Sequence, residues 1–307
     1  MNFKQEVNFD YGEAICYSGY REGQSPAIEK FPSEEQIEED LLILNKHWKY
    51  IRLYDPNQHA KTVLQIIRSK NLNLKVLLGV CLFAEINNDN CPWSGGTYTE
   101  EQLAANRTLN QTQIGMLIDL ANQYPDIIFA VSAGNEATVE WTDHLVSVEK
   151  IIQYVRMIKQ GTHCPVTFCE NYVPWQNKLS PLVREIDFIS LHTYPLWESK
   201  SIDGALAYTI ENYECVKKIY PDKTVVITEA GWATVSNGRG FPQENANEEY
   251  QESYIKSLTQ WSREKGILTF VFEAFDEDWK GSPDLREPEK HWGLFTINRK
   301  PKKVMTQ

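Results

Sequence analysis

Apolar runs of strand length recur eight times along this chain, and stretches with the helical spacing of apolar residues lie between them. Alternating strands and helices are typical of a parallel sheet whose neighbouring strands are joined by helices. Eight repeats fit a closed (β/α)8 TIM barrel better than an open doubly wound sheet. The predicted strands are 14–17, 50–54, 74–80, 127–131, 165–169, 188–192, 224–228 and 268–274. The predicted helices are 34–47, 59–70, 106–123, 143–160, 179–185, 204–220 and 248–265.

The whole chain, residues 1–307, is expected to form a single domain. A barrel of this class usually needs about 250 residues, so 307 residues leave room for extensions. No low-complexity linker or change of composition divides the sequence, and no Gly-x-Gly-x-x-Gly follows the first predicted strand. A dinucleotide-binding fold is therefore disfavoured.

Charge and hydropathy narrow the possible partners. A net charge of −11 argues against nucleic acid and anionic membrane surfaces, because both require a basic face. No apolar run reaches the roughly 18 residues that a membrane span needs. The first residues contain no apolar signal core, which leaves two locations open. These are the cytoplasm, or the periplasm, cell surface or medium if a signal sequence was removed. A monomer is expected.

Cysteines and histidines give no sign of a metal or redox site. The six cysteines include no Cys-x-x-Cys pair and are predicted to be buried free thiols, although a bridge between Cys81 and Cys91 stays open. The six histidines lack the His-Glu-x-x-His spacing of zinc enzymes. We predict that His192 is a hydrogen-bonding residue at the barrel mouth, and that neither a metal nor a cofactor is needed.

Two glutamates end strand-like segments, each two positions from a glycine. Glu229 closes the apolar run 224–228, and Glu136 ends the segment that continues from run 127–131. The carboxyl ends of barrel strands form one rim, where barrel enzymes keep their active sites. A single carboxylate there is often only a helix cap or an ion-pair partner. Two of them, about 5–5.5 Å apart, are what double-displacement cleavage of a glycosidic bond requires.

Further polar and aromatic residues are expected at the same rim. Tryptophans can stack on sugar rings, and six of the nine follow predicted strands. The run 236–240 is predicted to be a rim loop rather than a phosphate site, because it opens no helix directly. The rim tryptophans are Trp141, Trp175, Trp197, Trp232, Trp279 and Trp292. The other rim residues are Tyr54, Asp55, Asn135, Glu170, Asn171, Tyr172, His192, Thr193, Tyr194 and those at 273–277.

Several motifs, in order along nearly the whole chain, resemble glycoside hydrolase family 17. They are Arg52-Leu53-Tyr54-Asp55-Pro56-Asn57, Ala133-Gly134-Asn135-Glu136, Thr228-Glu229-Ala230-Gly231-Trp232, Phe275-Asp276-Glu277-Asp278-Trp279-Lys280 and Glu289-Lys290-His291-Trp292-Gly293-Leu294-Phe295. The family comprises β-1,3-glucanases and related glucanosyltransferases of a large clan of retaining (β/α)8 glycosidases. The segment 16–26 looks like its bacterial and fungal branch.

The resemblance implies a role for each matching residue. Glu136 would be the acid/base and Glu229 the nucleophile, while Asn135 would bond the 2-hydroxyl of the sugar being cleaved. Tyr194 would orient the nucleophile. Glu277, Lys280 and Glu289 match the charged cluster that follows the eighth strand in this family. Two roles are open for it: ion pairs that only hold the loop in place, or a Lys280 cation near the two catalytic carboxylates. The short tail leaves room for only a rudimentary eighth helix. The expected substrate-binding residues are Tyr54, Asp55, Asn135, Tyr172, Tyr194, Trp232, Glu277, Lys280, Glu289 and Trp292.

The function implied by this resemblance is a retaining endo-β-1,3-glucanase that hydrolyses laminarin-like glucans. A β-1,3-glucan glucanosyltransferase shares the first half of the mechanism and remains an alternative. A catalytically silent glucan-binding protein is a third possibility, which the presence of both glutamates disfavours. Tolerance of branches at O6 depends on loop shape and stays open.

Overall fold

Eight parallel strands close into one barrel, in which each strand pairs with the next in sequence and the eighth pairs back to the first. The computed structural model describes residues 7–93 and 95–306, so the predicted domain ends and Ser94 lie outside the described residues. The predicted TIM barrel is confirmed. The strands are β1 (Ala14–Cys16), β2 (Tyr50–Leu53), β3 (Lys75–Leu78), β4 (Ile128–Asn135), β5 (Val166–Asn171), β6 (Ile189–His192), β7 (Val225–Gly231) and β8 (Thr269–Phe272).

The helices surround the barrel. They are α1 (Glu34–His47), α2 (Gln58–Ser69), α3 (Glu100–Gln123), α4 (Val148–Gly161), α5 (Tyr172–Gln176), α6 (Ser180–Val183), α7 (Ile202–Ile219) and α8 (Glu248–Lys265). After β8, the described chain ends in the short 3-10 turn Lys303–Met305, in line with the expected rudimentary last helix.

Capping explains where the helix predictions differ from the structure. Helix α3 begins six residues before the predicted start at 106, because Thr99 caps it reciprocally with Gln102. Its first turns are largely polar and exposed, so apolar spacing could not reveal them. Helix α4 begins at Val148 rather than 143, because the Ser147 side chain accepts from the Lys150 amide. The helix predicted at 179–185 is present in shorter form as α6, whereas α5, just before it, was not predicted.

Irregular pairing near the mouth brings the functional side chains to the cavity. The β4–β5 register shifts between Ser132 and Asn135, and the β7–β8 register shifts between Ile227 and Ala230. Such bulges bend a strand and re-aim its side chains. A Cβ on Gly231 would lie 2.0 Å from the Phe272 carbonyl oxygen, so only glycine allows this approach of β7 to β8.

The structure also bears on the cysteines and on the length of the helices. All six cysteines are free, so Cys81 and Cys91 do not pair, but only Cys16 and Cys169 are fully buried. Among residues 7–93 and 95–306, no helix is both long and apolar enough to cross a bilayer.

Candidate active site

A cavity of about 950 Å³ opens at the carboxyl ends of the strands. Its size is within the range of ligand pockets in proteins. Glu136 and Glu229 both line it, together with aromatic and polar side chains from the loops after most strands. The side chains that contact the two glutamates are Arg52, Tyr54, His192 and Tyr194, and Asn135 and His144 adjoin this group.

Glu229 stands on β7 and is almost completely buried. Its Oε1 accepts hydrogen bonds from Arg52 Nη1 at 2.5 Å and from the Tyr54 hydroxyl at 2.9 Å. Its Oε2 accepts from the Tyr194 hydroxyl at 2.5 Å. Every one of these donors favours the ionised carboxylate. The position therefore suits a negatively charged group that is held in one orientation.

The charge on Glu229 is set by its neighbours. Burial alone raises the pKa of this carboxyl, but the charges of His192 and Arg52 and the tyrosine hydrogen bonds outweigh burial, so the pKa lies below its usual value. Burial opposes the charged form of His192, yet Glu229 and Glu136 raise the pKa of its imidazole to about 10. At neutral pH, two cations, Arg52 and His192, thus lie beside the Glu229 carboxylate.

Glu136 follows β4 directly and is more accessible than Glu229, with 26% of its side chain exposed. Its Oε1 lies 2.9 Å from His192 Nδ1. One oxygen of each glutamate and one nitrogen of His192 lie within 4.8 Å of one another. The nearest oxygens of the two carboxyls therefore lie within 4.8 Å of each other, and both residues line the same cavity.

The same three residues, Glu136, His192 and Glu229, are the described group whose spacing could accommodate a metal ion. The Arg52 guanidinium contacts Glu229 directly and carries a permanent positive charge. This charge opposes a cation between the carboxylates, so the arrangement suits direct carboxylate chemistry better than metal binding.

Asn135 lies next to the carboxylate pair. Its side-chain oxygen accepts a hydrogen bond from Arg52 Nη2, and its backbone oxygen lies 3.1 Å from His144 Nε2. His144 is held in turn by Asp143, whose Oδ1 lies 2.7 Å from His144 Nδ1. One arginine thus connects the amide of Asn135 with the carboxylate of Glu229.

Comparison with known proteins agrees with this geometry. The model of the BtgE/BtgC glycoside hydrolase domain matches residues 14–293. The chain belongs to this family. The probable glucan endo-1,3-beta-glucosidase btgC of Aspergillus terreus is 24% identical over 297 residues, which are 89% of this chain and 42% of that protein. This BtgE/BtgC-family chain therefore spans about two fifths of that relative's length.

Solved structures give a matching result for the BtgE/BtgC-family barrel. An endo-laminarinase from Formosa Hel1_33_131 superposes with a TM-score of 0.79 at 25% identity, covering 96% of this chain and 85% of that one. A glycoside hydrolase family 17 beta-1,3-glucanosyltransferase from Rhizomucor miehei gives a TM-score of 0.73 at 19% identity, with coverage of 95% and 96%. The second likeness is one of fold alone.

The BtgE/BtgC-family barrel brings most of the expected substrate-binding residues to the cavity, but not all of them. Tyr172 contacts the Tyr208 hydroxyl outside the lining, and Trp232 is fully buried and donates to the Asn245 carbonyl. Glu277 lies behind the lining. Those that line the cavity are Tyr54, Asp55, Asn135, Tyr194, Lys280, Glu289 and Trp292.

Burial shifts the pKa of two of these cavity carboxyls. The pKa of Asp55 rises to about 6, although the Cys81 amide donates to it. The pKa of Glu289 rises to about 7, against the opposing charges of Lys280 and Arg239. Both groups therefore change their charge within the range of ordinary assays, and neither contacts Glu229.

The structure shows which tryptophans line the cavity and which are buried in the core. Trp175, like Trp232, is fully buried, and its indole donates to the Ser190 carbonyl. Trp93, on the loop after β3, was not among the six tryptophans expected at the rim, but it lines the cavity. The tryptophans that line the cavity are Trp93, Trp141, Trp197, Trp279 and Trp292.

Arg52 is the main residue that sequence reasoning missed. It is 1% exposed within β2 and contacts both Glu229 and Asn135. A charged residue inside an otherwise apolar strand was the available signal, because a buried cation must meet a partner. His192 was predicted as a hydrogen-bonding residue at the mouth, and this is confirmed.

The cluster after β8 is a buried ion-pair group. Lys280 Nζ lies 2.5 Å from Glu273 and 2.9 Å from Glu277. Glu277 also accepts from the Ser18 hydroxyl and the Tyr20 amide, which ties the β8 loop to the β1 loop. Burial raises the pKa of Glu273 well above its usual value, despite the Lys280 cation. These contacts support the loop clamp among the two roles expected for Lys280.

Proposed function

We propose that this chain is a retaining endo-β-1,3-glucanase of glycoside hydrolase family 17, acting on laminarin-like glucans. The observation that carries the proposal is the approach of the Glu136 and Glu229 carboxyls at the barrel mouth, with His192 within 4.8 Å of both. The family match and relatives described as glucan endo-1,3-beta-glucosidase and endo-laminarinase support the substrate class. A net charge of −11 and five cavity tryptophans suit a neutral polysaccharide better than an anionic one.

In the first step, the Glu229 carboxylate attacks the anomeric carbon, and Glu136 donates a proton to the departing glycosidic oxygen. The lowered pKa of Glu229 supports the nucleophile assignment, because this residue stays ionised. The greater exposure of Glu136 suits a group that must exchange its proton with water. In the second step, Glu136 removes a proton from water, which attacks the glycosyl-enzyme and restores both residues.

Azide rescue tests the two roles. Glu229→Ala should reduce turnover to background even on an aryl glucoside with a good leaving group, because no glycosyl-enzyme forms. Glu136→Ala should regain turnover on that substrate when azide is added, with the β-glycosyl azide as product. An α-glycosyl azide from Glu136→Ala would show that the assignments must be exchanged.

Product analysis tests the reaction type. Digestion of laminarin should release a series of oligosaccharides, and NMR at early times should show the β-anomer first. An initial α-anomer would overturn the retaining mechanism. Products longer than the substrate, at high oligosaccharide concentration, would assign the chain as a glucanosyltransferase. Absence of both new reducing ends and products of altered chain length would leave only glucan binding.

A further inference from the structure

An arginine joins two tryptophans over the cavity. The Cζ atom of Arg239 lies 5.8 Å from the ring centroid of Trp93 and 5.9 Å from that of Trp197. Both distances are within the range of cation–π attraction. We call these three residues, Trp93, Arg239 and Trp197, the mouth bridge. All three line the cavity that holds the catalytic glutamates.

The mouth bridge spans the barrel opening. Trp93 lies on the loop after β3, and Arg239 lies on the loop after β7. In the closed order of eight strands, β3 and β7 stand opposite each other, with three strands between them on either side. A contact between these loops, made by residues that line one cavity, therefore crosses from one wall of the cleft to the other.

The β7 side of the bridge is firmly supported. Arg239 Nη2 lies 2.8 Å from Oε1 of the buried Glu287. The Trp197 ring packs against Phe241 at 5.0 Å and against Trp292 at 6.1 Å. A Cβ on Gly240 would lie 2.4 Å from the Trp197 ring, so the loop backbone itself lies on this tryptophan. The guanidinium is thus held in a fixed place.

The loop after β3, which carries Trp93, is held in place by hydrogen bonds to the loop after β4. The Asn88 side chain donates to the backbone oxygens of Glu140 and Thr142, and the Tyr98 hydroxyl donates to that of Asp143. The Trp93 side chain is 49% exposed. Its contact with Arg239 is therefore the weaker end of the bridge, and it can part without disrupting either loop.

We propose that the mouth bridge restricts the entry of the interior of a glucan chain, so that long chains compete poorly with short oligosaccharides for the cleft. A short chain can pass lengthwise under a closed bridge, whereas the middle of a polymer must enter from the side and requires Trp93 and Arg239 to separate. Arg239 is thereby a specificity-determining residue. The inference rests on the proposed function for its substrate class.

The test compares a long linear β-1,3-glucan with laminarihexaose. In Arg239→Ala, kcat/KM on the polymer relative to the hexaose should rise about two- to fivefold, the factor that corresponds to one exposed cation–π contact. Stopped-flow tryptophan fluorescence should show the same rise in the ratio of association rate constants. Trp93→Ala should produce the same rise while keeping the Arg239–Glu287 ion pair. The test can therefore be made with Trp93→Ala even if Arg239→Ala misfolds.

Two controls isolate the bridge. Trp141→Ala removes another cavity tryptophan, from the β4 loop, and should weaken both substrates equally, leaving the ratio unchanged. The double variant Trp93→Ala/Arg239→Ala should raise the ratio no further than either single variant, because both remove one contact.

An unchanged ratio in both single variants, with the hexaose still cleaved, would overturn the bridge alone. Failure of the wild-type chain to cleave either glucan would instead reject the proposed function, and the association rates would still decide the role of the bridge.

Discussion

At the scale of single residues, one buried cation organises the proposed site. Arg52 contacts Glu229 and Asn135 at once, and its guanidinium lies 4.4 Å from the ring centroid of Tyr54. A planar guanidinium offers donors in fixed directions, so it can orient two acceptors in a way that a lysine cannot. We infer that Arg52, from β2, fixes the position of the proposed nucleophile Glu229 relative to Asn135.

The tyrosines that donate to Glu229 should set the acidic limb of the pH–rate profile. The Tyr194 hydrogen bond favours ionised Glu229, so Tyr194→Phe should raise the pKa of that carboxyl and move the acidic limb of kcat/KM to higher pH. A hydrogen bond to a buried charge corresponds to a shift of about one to two pH units. Tyr208→Phe removes a hydroxyl that contacts Tyr172 instead, and it should leave the limb in place. An unmoved limb in Tyr194→Phe would contradict this account.

At the scale of elements, the strands were predictable because burial on both faces gives continuous apolar runs. Each predicted strand overlaps an observed one, and the strand ends correctly brought Glu136 and Glu229 to one rim. The register shifts were not predictable, since a bulge depends on the partner strand and leaves no local pattern. The position of Trp232 was not predictable either: it directly follows β7, yet it packs against Tyr254 of α8 instead of lining the cavity.

The loop after β8 should depend on Lys280 for its stability. Lys280→Met leaves Glu273 and Glu277 buried without their cation, and we expect a loss of about 3–5 kcal/mol in the free energy of unfolding. The exposed pair of Lys70 and Glu38 is the matched control, and Lys70→Met should lose less than about 1 kcal/mol. Urea titration measures both.

The same Lys280→Met variant separates the two expected roles of the cation. Loss of a positive charge near the proposed catalytic pair would disfavour ionised carboxylates and move the whole pH–rate profile to higher pH. We expect an unmoved profile, since Lys280 is already paired with two carboxyls. A shifted profile would show that its charge also reaches the glutamates.

At the scale of the whole molecule, the C-terminal segment fastens the last strand to the first loops. Arg299 bonds the buried Asp40 of α1 through Nε at 2.7 Å and donates to the Gly19 carbonyl. Lys302 pairs with Asp276 at 2.8 Å, just beyond β8. The two Arg299 contacts join residues more than 250 positions apart, so no periodicity in the sequence could have revealed them.

The pairing of Asp40 with Arg299 should matter to the stability of the entire barrel. Asp40→Ala leaves the Arg299 guanidinium, 3% exposed, without its main partner, and we expect about 3–5 kcal/mol less stability. Arg299→Ala should lose a similar amount. The double variant should lose clearly less than the sum, because both changes break one interaction. Additive losses in denaturant unfolding would disprove the coupling.

The backbone of Glu136 has a consequence for how such a site can change over generations. Its φ is +43°, in the left-handed region that glycine adopts freely and that costs other residues free energy. The proposed proton donor thus occupies a position where the chain itself would favour a glycine. Stability favours a glycine at this position, whereas the proposed activity requires a glutamate. Only continued selection for catalysis would keep the glutamate there. Relatives that lose their activity would be expected to drift at this position first.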